Sequence, residues 1–140
     1  MYILDTDVVT LFFHHRDQQP VLVSRILATP PERLWISVIT AEEMIQGAFK
    51  LIRRDQRRGK GTGGYALLTK ILQDIPSFQI LPFGDQADLI YKAMPAAVRR
   101  LGSADCRIAA SAIAHGYTVI TRNTRDFGQI PNVKLEDWTV

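Results

Sequence analysis

Short apolar runs alternate along the chain with longer segments in which apolar residues recur at helical spacing. The runs that predict β-strands are Tyr2–Leu4, Leu34–Ser37, Phe78–Leu81 and Tyr117–Ile120, with a last edge strand at Val133–Leu135. The segments that predict helices are Val8–His14, Thr40–Arg58, Tyr65–Asp74, Asp85–Leu101 and Ser103–His115. This alternation favours an α/β fold in which helices cover both faces of a central, mostly parallel sheet. Ligands of such sheets bind beyond the carboxyl ends of the strands.

Glycine and proline divide the predicted helices. The glycine-rich stretch 59–64 predicts a flexible surface hinge between two helices rather than a domain boundary. Pro95 predicts a kink in its helix or a split after Ala93, because proline cannot donate a backbone hydrogen bond and crowds the preceding turn. The polar stretch Thr121–Asp126 predicts a loop after the fourth strand.

The composition is that of a folded domain. At 140 residues, with 46% hydrophobic and 22% charged, we expect residues 1–140 to form a single domain. Residues 1–13 include Asp5 and Asp7 and have no basic leader, which argues against a signal peptide or a membrane span. A cytoplasmic location is therefore expected. Cys106 is the only cysteine, so an internal disulfide and a cysteine-rich zinc site are excluded, and we expect its thiol to be buried.

Basic residues are concentrated in one segment of a chain whose net charge is +3. The segment contains Lys50, Arg53, Arg54, Arg57, Arg58 and Lys60. Its only acid is Asp55. Such a cluster suits the phosphates of a nucleic acid. It is also typical of a solvated helix end, where cations interact favourably with the helix dipole, and the two interpretations are compatible.

Acidic and polar residues follow the predicted strands or begin the predicted helices. They are Asp5, Glu43, Asp105, Asn123 and Asp126. Because the carboxyl ends of parallel strands share one edge of the sheet, these side chains can face one crevice. Clustered carboxylates raise one another's pKa and normally need a cation to remain ionised. Oxygen ligands select Mg²⁺ or Mn²⁺, whereas His14, His15 and His115 are not spaced with the acids as a zinc motif.

Each acid taken alone has a structural alternative. Asp7 is well placed to cap the first helix, whereas Asp5, which directly follows a strand, is less well placed to do so. Asp105 and Asp126 can serve as ordinary helix-start or loop caps. The neighbouring glutamates at positions 42 and 43 lie on one helix, so one of them is expected to face solvent.

Four segments carry these residues over nearly the whole chain. They are Tyr2–Asp7, Ile36–Gly47, Asp105–Ala110 and Thr121–Phe127. In this order and spacing they resemble the motifs of a PIN-domain endoribonuclease of the VapC toxin type. In that family the glutamate stands four residues before a glycine, which selects Glu43 over Glu42.

The resemblance implies a PIN-like three-layer sandwich and metal-dependent cleavage of RNA. Asp5, Glu43 and Asp105 would hold Mg²⁺ or Mn²⁺, and Asn123 with Asp126 would orient the attacking water or a second ion.

Further implications concern the surroundings of this site. Thr6 or Thr121 would donate hydrogen bonds within it. The basic segment, with Arg122 and Arg125, would follow the RNA backbone. The family also implies a homodimer and a VapB-like antitoxin that occludes the site, commonly with an arginine.

Three features depart from the family pattern. Asp7 stands where relatives often have Asn or Ser, so it is an additional acid near the site or a cap. Asn123 stands where the family can have an acid, which leaves the fourth polar position open between Asn123 and Asp126. The glycine-rich hinge and the basic segment before it are longer than is usual in the family. The extra length is either an element that contacts RNA or a tolerated insertion.

Two other functions remain as alternatives. Asp5-Thr6-Asp7-Val8-Val9 matches the opening of haloacid-dehalogenase-like phosphatases, and Gly84-Asp85 imitates a later motif. The chain is short for that class, and it lacks a convincing motif lysine. The second alternative is a non-cleaving PIN-like module that binds RNA or protein, against which the presence of all three principal acids speaks.

Overall fold

Five parallel strands form one sheet in the computed structural model, which describes residues 1–140. The strands are β1 (Tyr2–Leu4), β2 (Leu34–Ser37), β3 (Gln79–Leu81), β4 (Thr118–Ile120) and β5 (Lys134–Glu136). Their order is β3-β2-β1-β4-β5, and every neighbouring pair is parallel. The predicted parallel sheet is confirmed. The chain leaves the central strand β1 towards β2 on one side and later returns to β4 on the other, so the carboxyl end of β1 is a topological switch point.

Eight α-helices connect and cover the strands. They are α1 (Thr6–His14), α2 (Pro20–Ala28), α3 (Val38–Arg57), α4 (Gly63–Asp74), α5 (Asp85–Ala93), α6 (Ala96–Arg99), α7 (Ser103–His115) and α8 (Thr124–Phe127). Short 3₁₀ turns lie at Arg16–Gln18, Pro31–Arg33 and Ile75–Ser77. None of the helices combines the length and the hydropathy that crossing a bilayer requires.

The sheet separates two apolar cores, because successive residues of a strand point to opposite faces. On β1, Leu4 packs into the core formed with α1 to α4, and Ile3 packs into the core formed with α5, α7 and α8. Val119 and Ile120 alternate in the same way on β4. Cys106 is fully buried in the second core, as expected, and this burial raises the pKa of its thiol. The expected three layers, helices on both faces of a sheet, are confirmed.

Two helices were missing from the sequence-based prediction. Helix α2 begins at Pro20, a residue favoured in a first helical turn, and buries Leu22 and Ile26 four residues apart. Helix α8 overlaps the end of the stretch Thr121–Asp126 that was predicted as a polar loop. The Asn123 side chain caps it, and Phe127 anchors it in the second core.

The predicted breaks in the helices are present, with one shift. Helix α5 ends at Ala93 and α6 begins at Ala96, so Pro95 splits the helix as predicted. The glycine-rich stretch separates α3 from α4, but its last two glycines belong to α4. A Cβ atom at Gly64 would lie 2.5 Å from the backbone nitrogen of Ile52, so glycine lets α4 approach α3 closely.

Candidate active site

The candidate site lies beyond the carboxyl ends of β1, β2 and β4. Asp5 follows β1, Ser37 ends β2, and Thr121 follows β4. The helices that begin here bring Glu43 on α3, Asp105 on α7 and Asp126 on α8. A parallel sheet places these segments at one edge because all of its strands end on the same side.

Asp5 is the most buried carboxylate of the site, with 4% of its surface exposed. One oxygen, Oδ1, accepts a hydrogen bond from the backbone N–H of Val8 at 2.9 Å. The other, Oδ2, accepts one from the hydroxyl of Thr121 at 2.5 Å. Burial raises the pKa of Asp5, while these two hydrogen bonds act in the opposite direction and the charge of Asp7 adds to the rise. Asp5 is thus held in one orientation.

The expected roles of Asp5 and Asp7 as helix caps are reversed. The prediction that Asp7 caps the first helix is wrong, because the helix begins at Thr6 and Asp5 is its N-cap. Asp7 is exposed and accepts hydrogen bonds from Arg122 Nη2 at 2.9 Å and Nε at 3.1 Å. Arg122 is therefore paired with an acid at the rim of the site.

Glu43 is half-buried and faces the site, whereas Glu42 is exposed. The hydroxyl of Thr6 donates to Glu43 Oε1 at 2.6 Å and lies 3.0 Å from the hydroxyl of Thr40, which is fully buried. Thr6 and Thr121 both donate within the site, as the family resemblance implied. Sequence reasoning missed Thr40, although a threonine between a buried strand and Glu43 was a signal for it.

Asp105 shows how closely the acids are grouped. It lies in the first turn of α7 and is half-buried. Burial, together with the charges of Asp5, Glu43, Asp126 and Asp7, raises the pKa of Asp105 to about 6. Four other carboxylates thus lie near enough to disfavour the charged form of this one, and we call Asp5, Glu43, Asp105 and Asp126 the carboxylate cluster.

Asn123 and Asp126 are hydrogen-bonded to each other. The Asn123 Oδ1 accepts from the Asp126 backbone N–H at 3.4 Å, and Nδ2 donates to Asp126 Oδ2 at 3.2 Å. The Asn123 backbone N–H donates to the Thr121 hydroxyl at 2.9 Å. Asn123 is exposed and Asp126 half-buried. Asp126 thus supplies the fourth carboxylate, and Asn123 orients it.

The chemistry of the cluster fits a hard divalent cation, but its geometry is not preassembled. The donors are all oxygens, and the raised pKa of Asp105 marks negative charge that a cation would offset. Hydroxyl groups hydrogen-bond to one oxygen of Asp5 and one of Glu43. No three His, Cys, Asp or Glu side chains converge at metal-binding distance. The three histidines are exposed and join no such group.

The basic residues of α3 and of the turn that follows it lie on an exposed surface beyond the carboxylate cluster. We call Lys50, Arg53, Arg54, Arg57, Arg58 and Lys60 the basic cluster. All six are exposed, and none forms an ion pair. Four of them line a cavity of about 460 Å³ together with Gly47 and Leu51. Unpaired cations around a cavity leave a positive field that suits an anionic ligand.

Comparison with known proteins gives a family match over nearly the whole chain. The PIN domain family matches residues 2–133. Ribonuclease VapC1 of Haemophilus influenzae strain R2866 is 30% identical over 99% of this chain and 98% of its own length. The tRNA(fMet)-specific endonuclease VapC of Salmonella typhimurium strain LT2 is 32% identical over 76% of each chain.

Solved structures of VapBC complexes have the same fold as this chain. VapBC-1 from nontypeable Haemophilus influenzae superposes with a TM-score of 0.76 and 25% identity, covering 99% of this chain and 98% of the other. DNA-bound VapBC from Salmonella typhimurium gives a TM-score of 0.75 and 26% identity over 98% and 97% of the two chains.

Proposed function

Because the chain belongs to the PIN-domain family and, within it, to the VapC ribonucleases, we propose that it is a metal-dependent endoribonuclease, folded as a single domain over residues 1–140. It hydrolyses phosphodiester bonds of RNA as the toxin of a VapBC-type toxin-antitoxin pair. The observation that supports this proposal is the grouping of Asp5, Glu43 and Asp126 near enough to Asp105 to raise its pKa, beyond the carboxyl ends of three parallel strands.

Asp5, Glu43 and Asp105 hold Mg²⁺ or Mn²⁺ in this proposal. A divalent cation bound there lowers the pKa of a water molecule and stabilises charge on the scissile phosphate. Thr121 and the Val8 amide fix the orientation of Asp5, and Thr6 fixes that of Glu43.

Asp126, held by Asn123, orients the attacking water and accepts its proton. The basic cluster binds RNA phosphates away from the scissile bond, which gives affinity without selecting a sequence. Arg125 is exposed beside Asp126 and would contact the RNA backbone on that side, whereas Arg122 is paired with Asp7.

A VapB-like antitoxin and a second copy of the chain are the proposed partners. Two solved relatives are VapBC complexes, which supports a VapB-like antitoxin as a partner. In this proposal the antitoxin would cover the carboxylate cluster with an arginine, as the family resemblance implies. The site of action is the cytoplasm, where its RNA substrates are made. A haloacid-dehalogenase-like phosphatase is not supported, because the chain belongs to the PIN family and Asp7 is paired at the rim.

The neighbouring glutamates allow a matched test of this proposal. Total RNA is incubated with wild type, Glu43→Gln, Glu42→Gln and Asp105→Asn, each with Mg²⁺ or Mn²⁺ and with a chelator. We expect defined cleavage by wild type and Glu42→Gln with metal, and a loss of about 100-fold or more in Glu43→Gln and Asp105→Asn. Cleavage that persists in chelator or in Asp105→Asn would overturn the metal site. An inert wild type that still binds RNA would favour the non-cleaving module.

A further inference from the structure

The packing of the fold does not explain the glycine at position 47. Gly47 lies in the interior of the 20-residue helix α3, where glycine is unfavourable compared with other residues. It has no positive φ, and a Cβ atom there would meet nothing within 4 Å. Gly64, by contrast, is needed because a Cβ would collide with Ile52. The space that a side chain would occupy at Gly47 is therefore open to a molecule bound outside the fold.

Gly47 lies between the two halves of the proposed substrate site. It lines the cavity of about 460 Å³ that Lys50, Arg53, Arg54 and Arg57 surround. It also lines a second cavity of about 360 Å³, to which Thr6, Glu43 and His14 contribute on the side of the carboxylate cluster. No other residue lines both cavities. The surface at Gly47 therefore connects the carboxylate cluster with the basic cluster.

The helix geometry places this path along one face of α3. Glu43, Gly47, Lys50, Arg54 and Arg57 follow one another at intervals of four, three, four and three residues, the spacing of one helix face. From Glu43 to Arg57 the face is about 21 Å long, at 1.5 Å per residue. This length is comparable with the short grooves in which other folds hold a few nucleotides of single strand.

We propose that Gly47 is the crossing point at which the RNA strand passes from the carboxylate cluster to the basic cluster, and that a side chain there blocks the strand. The proposal rests on the ribonuclease function proposed above and adds the path of the substrate. Cations recur at each turn from Lys50 to Arg57, which matches evenly spaced phosphates better than the irregular charges of an acidic peptide.

The first experiment compares Gly47→Leu with Gln56→Leu. Gln56 is exposed on the opposite face of α3 and lines neither cavity. With a single-stranded RNA of a dozen nucleotides, we expect Gly47→Leu to lower kcat/KM by about tenfold or more, and Gln56→Leu to leave it unchanged. The melting temperature of Gly47→Leu should not fall, because leucine is the better helix former. Gly47→Ala, with a smaller expected loss, serves if Gly47→Leu does not fold.

The second experiment measures RNA binding against salt in an Asp105→Asn background, in which the strand is not cut. Each lost phosphate contact reduces the salt slope by about 0.7. In a protein that retains Gly47, the double substitution Arg54→Ala and Arg57→Ala should reduce both the affinity for RNA and the salt slope of binding. In a protein that carries Gly47→Leu, the same double substitution should have no further effect, because the strand no longer reaches these arginines.

The outcomes separate the two proposals. If wild type does not cleave RNA, the proposed ribonuclease function fails. If wild type cleaves and the Gly47 variants cleave equally well, only the crossing point is overturned. Additive losses in the Gly47 and arginine variants would also overturn it. The crossing point would also be overturned if the arginine variants lost binding to an acidic peptide but bound RNA as wild type does. The basic cluster would then bind a protein partner and not RNA.

Discussion

Thr121 connects the carboxylate cluster to the end of β4. Its hydroxyl donates to Asp5 Oδ2 and accepts from the Asn123 backbone N–H, so one buried side chain fixes both the central carboxylate and the cap of α8. Because the Val8 amide holds the second oxygen, both oxygens of Asp5 have a donor. A buried carboxylate without such donors is costly, and Thr121 is therefore a positioning residue.

Replacing Thr121 by valine tests this role. Thr121→Val keeps the shape of the side chain but leaves Asp5 Oδ2 and the Asn123 N–H without their partner, so we expect the free energy of unfolding to fall by about 1–3 kcal/mol. Urea unfolding of wild type, Thr121→Val and Thr121→Ser measures the change. Serine retains the hydroxyl and should lose less; a loss for valine no larger than that for serine would contradict the role of the hydroxyl.

The roles of Asp5 and Asp7 show the limit of sequence reasoning at this scale. An acid at the end of an apolar strand was predictable, because Tyr2–Leu4 is short and apolar and Asp5 follows it. Which aspartate caps the helix was not predictable. The answer depends on whether the first turn begins at Thr6 or at Val8, and tertiary contacts such as Thr6 with Glu43 decide that start.

Helices α3 and α4 form a hairpin whose turn is held by a buried acid. Asp55 is 8% exposed, and its Oδ2 accepts a hydrogen bond from the Gly64 N–H at 2.8 Å, at the start of α4. The Asp55 carbonyl accepts from the Lys60 N–H at 2.8 Å. The single acid of the basic segment thus has a structural role, and the stretch predicted as a flexible hinge contains specific contacts.

Gly64 provides a test of this hairpin. A Cβ in Gly64→Ala would lie 2.5 Å from the Ile52 nitrogen, so α4 must shift from α3, and we expect a loss of about 1–3 kcal/mol in the free energy of unfolding. Gly61→Ala is the matched control in the same turn, because a Cβ there would meet nothing within 4 Å. Thermal melting of both variants checks this; similar melting temperatures would contradict the close approach.

Long helices with periodic apolar residues could be predicted from the sequence, whereas short helices could not. Helix α7 is recognisable because alanine and isoleucine recur between Ser103 and Gly116. Helix α2 buries only two residues, and α8 spans four, so neither carries enough periodicity to be seen without its neighbours.

For the whole molecule, the carboxylate cluster opposes stability. The pKa of Asp105 is about 6 in the fold and 3.8 ordinarily, so the folded protein binds more protons between these values. The free energy of unfolding of the metal-free protein therefore falls as pH rises from about 4 to about 6, and remains lower above this range. The grouping of acids that suits the proposed activity thus weakens the fold near neutral pH.

Asp105→Asn should remove this effect. Without metal at pH 8, we expect the variant to be about 1 kcal/mol more stable than wild type, because the full shift corresponds to about 3 kcal/mol and water reduces it at a half-buried group. Below pH 4 the two should agree. Urea unfolding in chelator across this pH range measures the difference, and a constant difference at all pH values would contradict the electrostatic cause. Added Mg²⁺ or Mn²⁺ should stabilise wild type more than the variant.

The placement of β1 at the centre of the sheet has a consequence for how the protein is made. Asp5 and Thr121 are separated by 116 positions in the chain, and the Asp5 backbone N–H also donates a hydrogen bond to the carbonyl of Ile120. Contacts this distant in sequence form late, and during synthesis the N-terminal part emerges first. A partly translated chain therefore lacks the support of its central carboxylate. The site is completed only after β4 has left the ribosome. The growing chain therefore does not carry a finished site while it is still attached to the ribosome and close to ribosomal RNA.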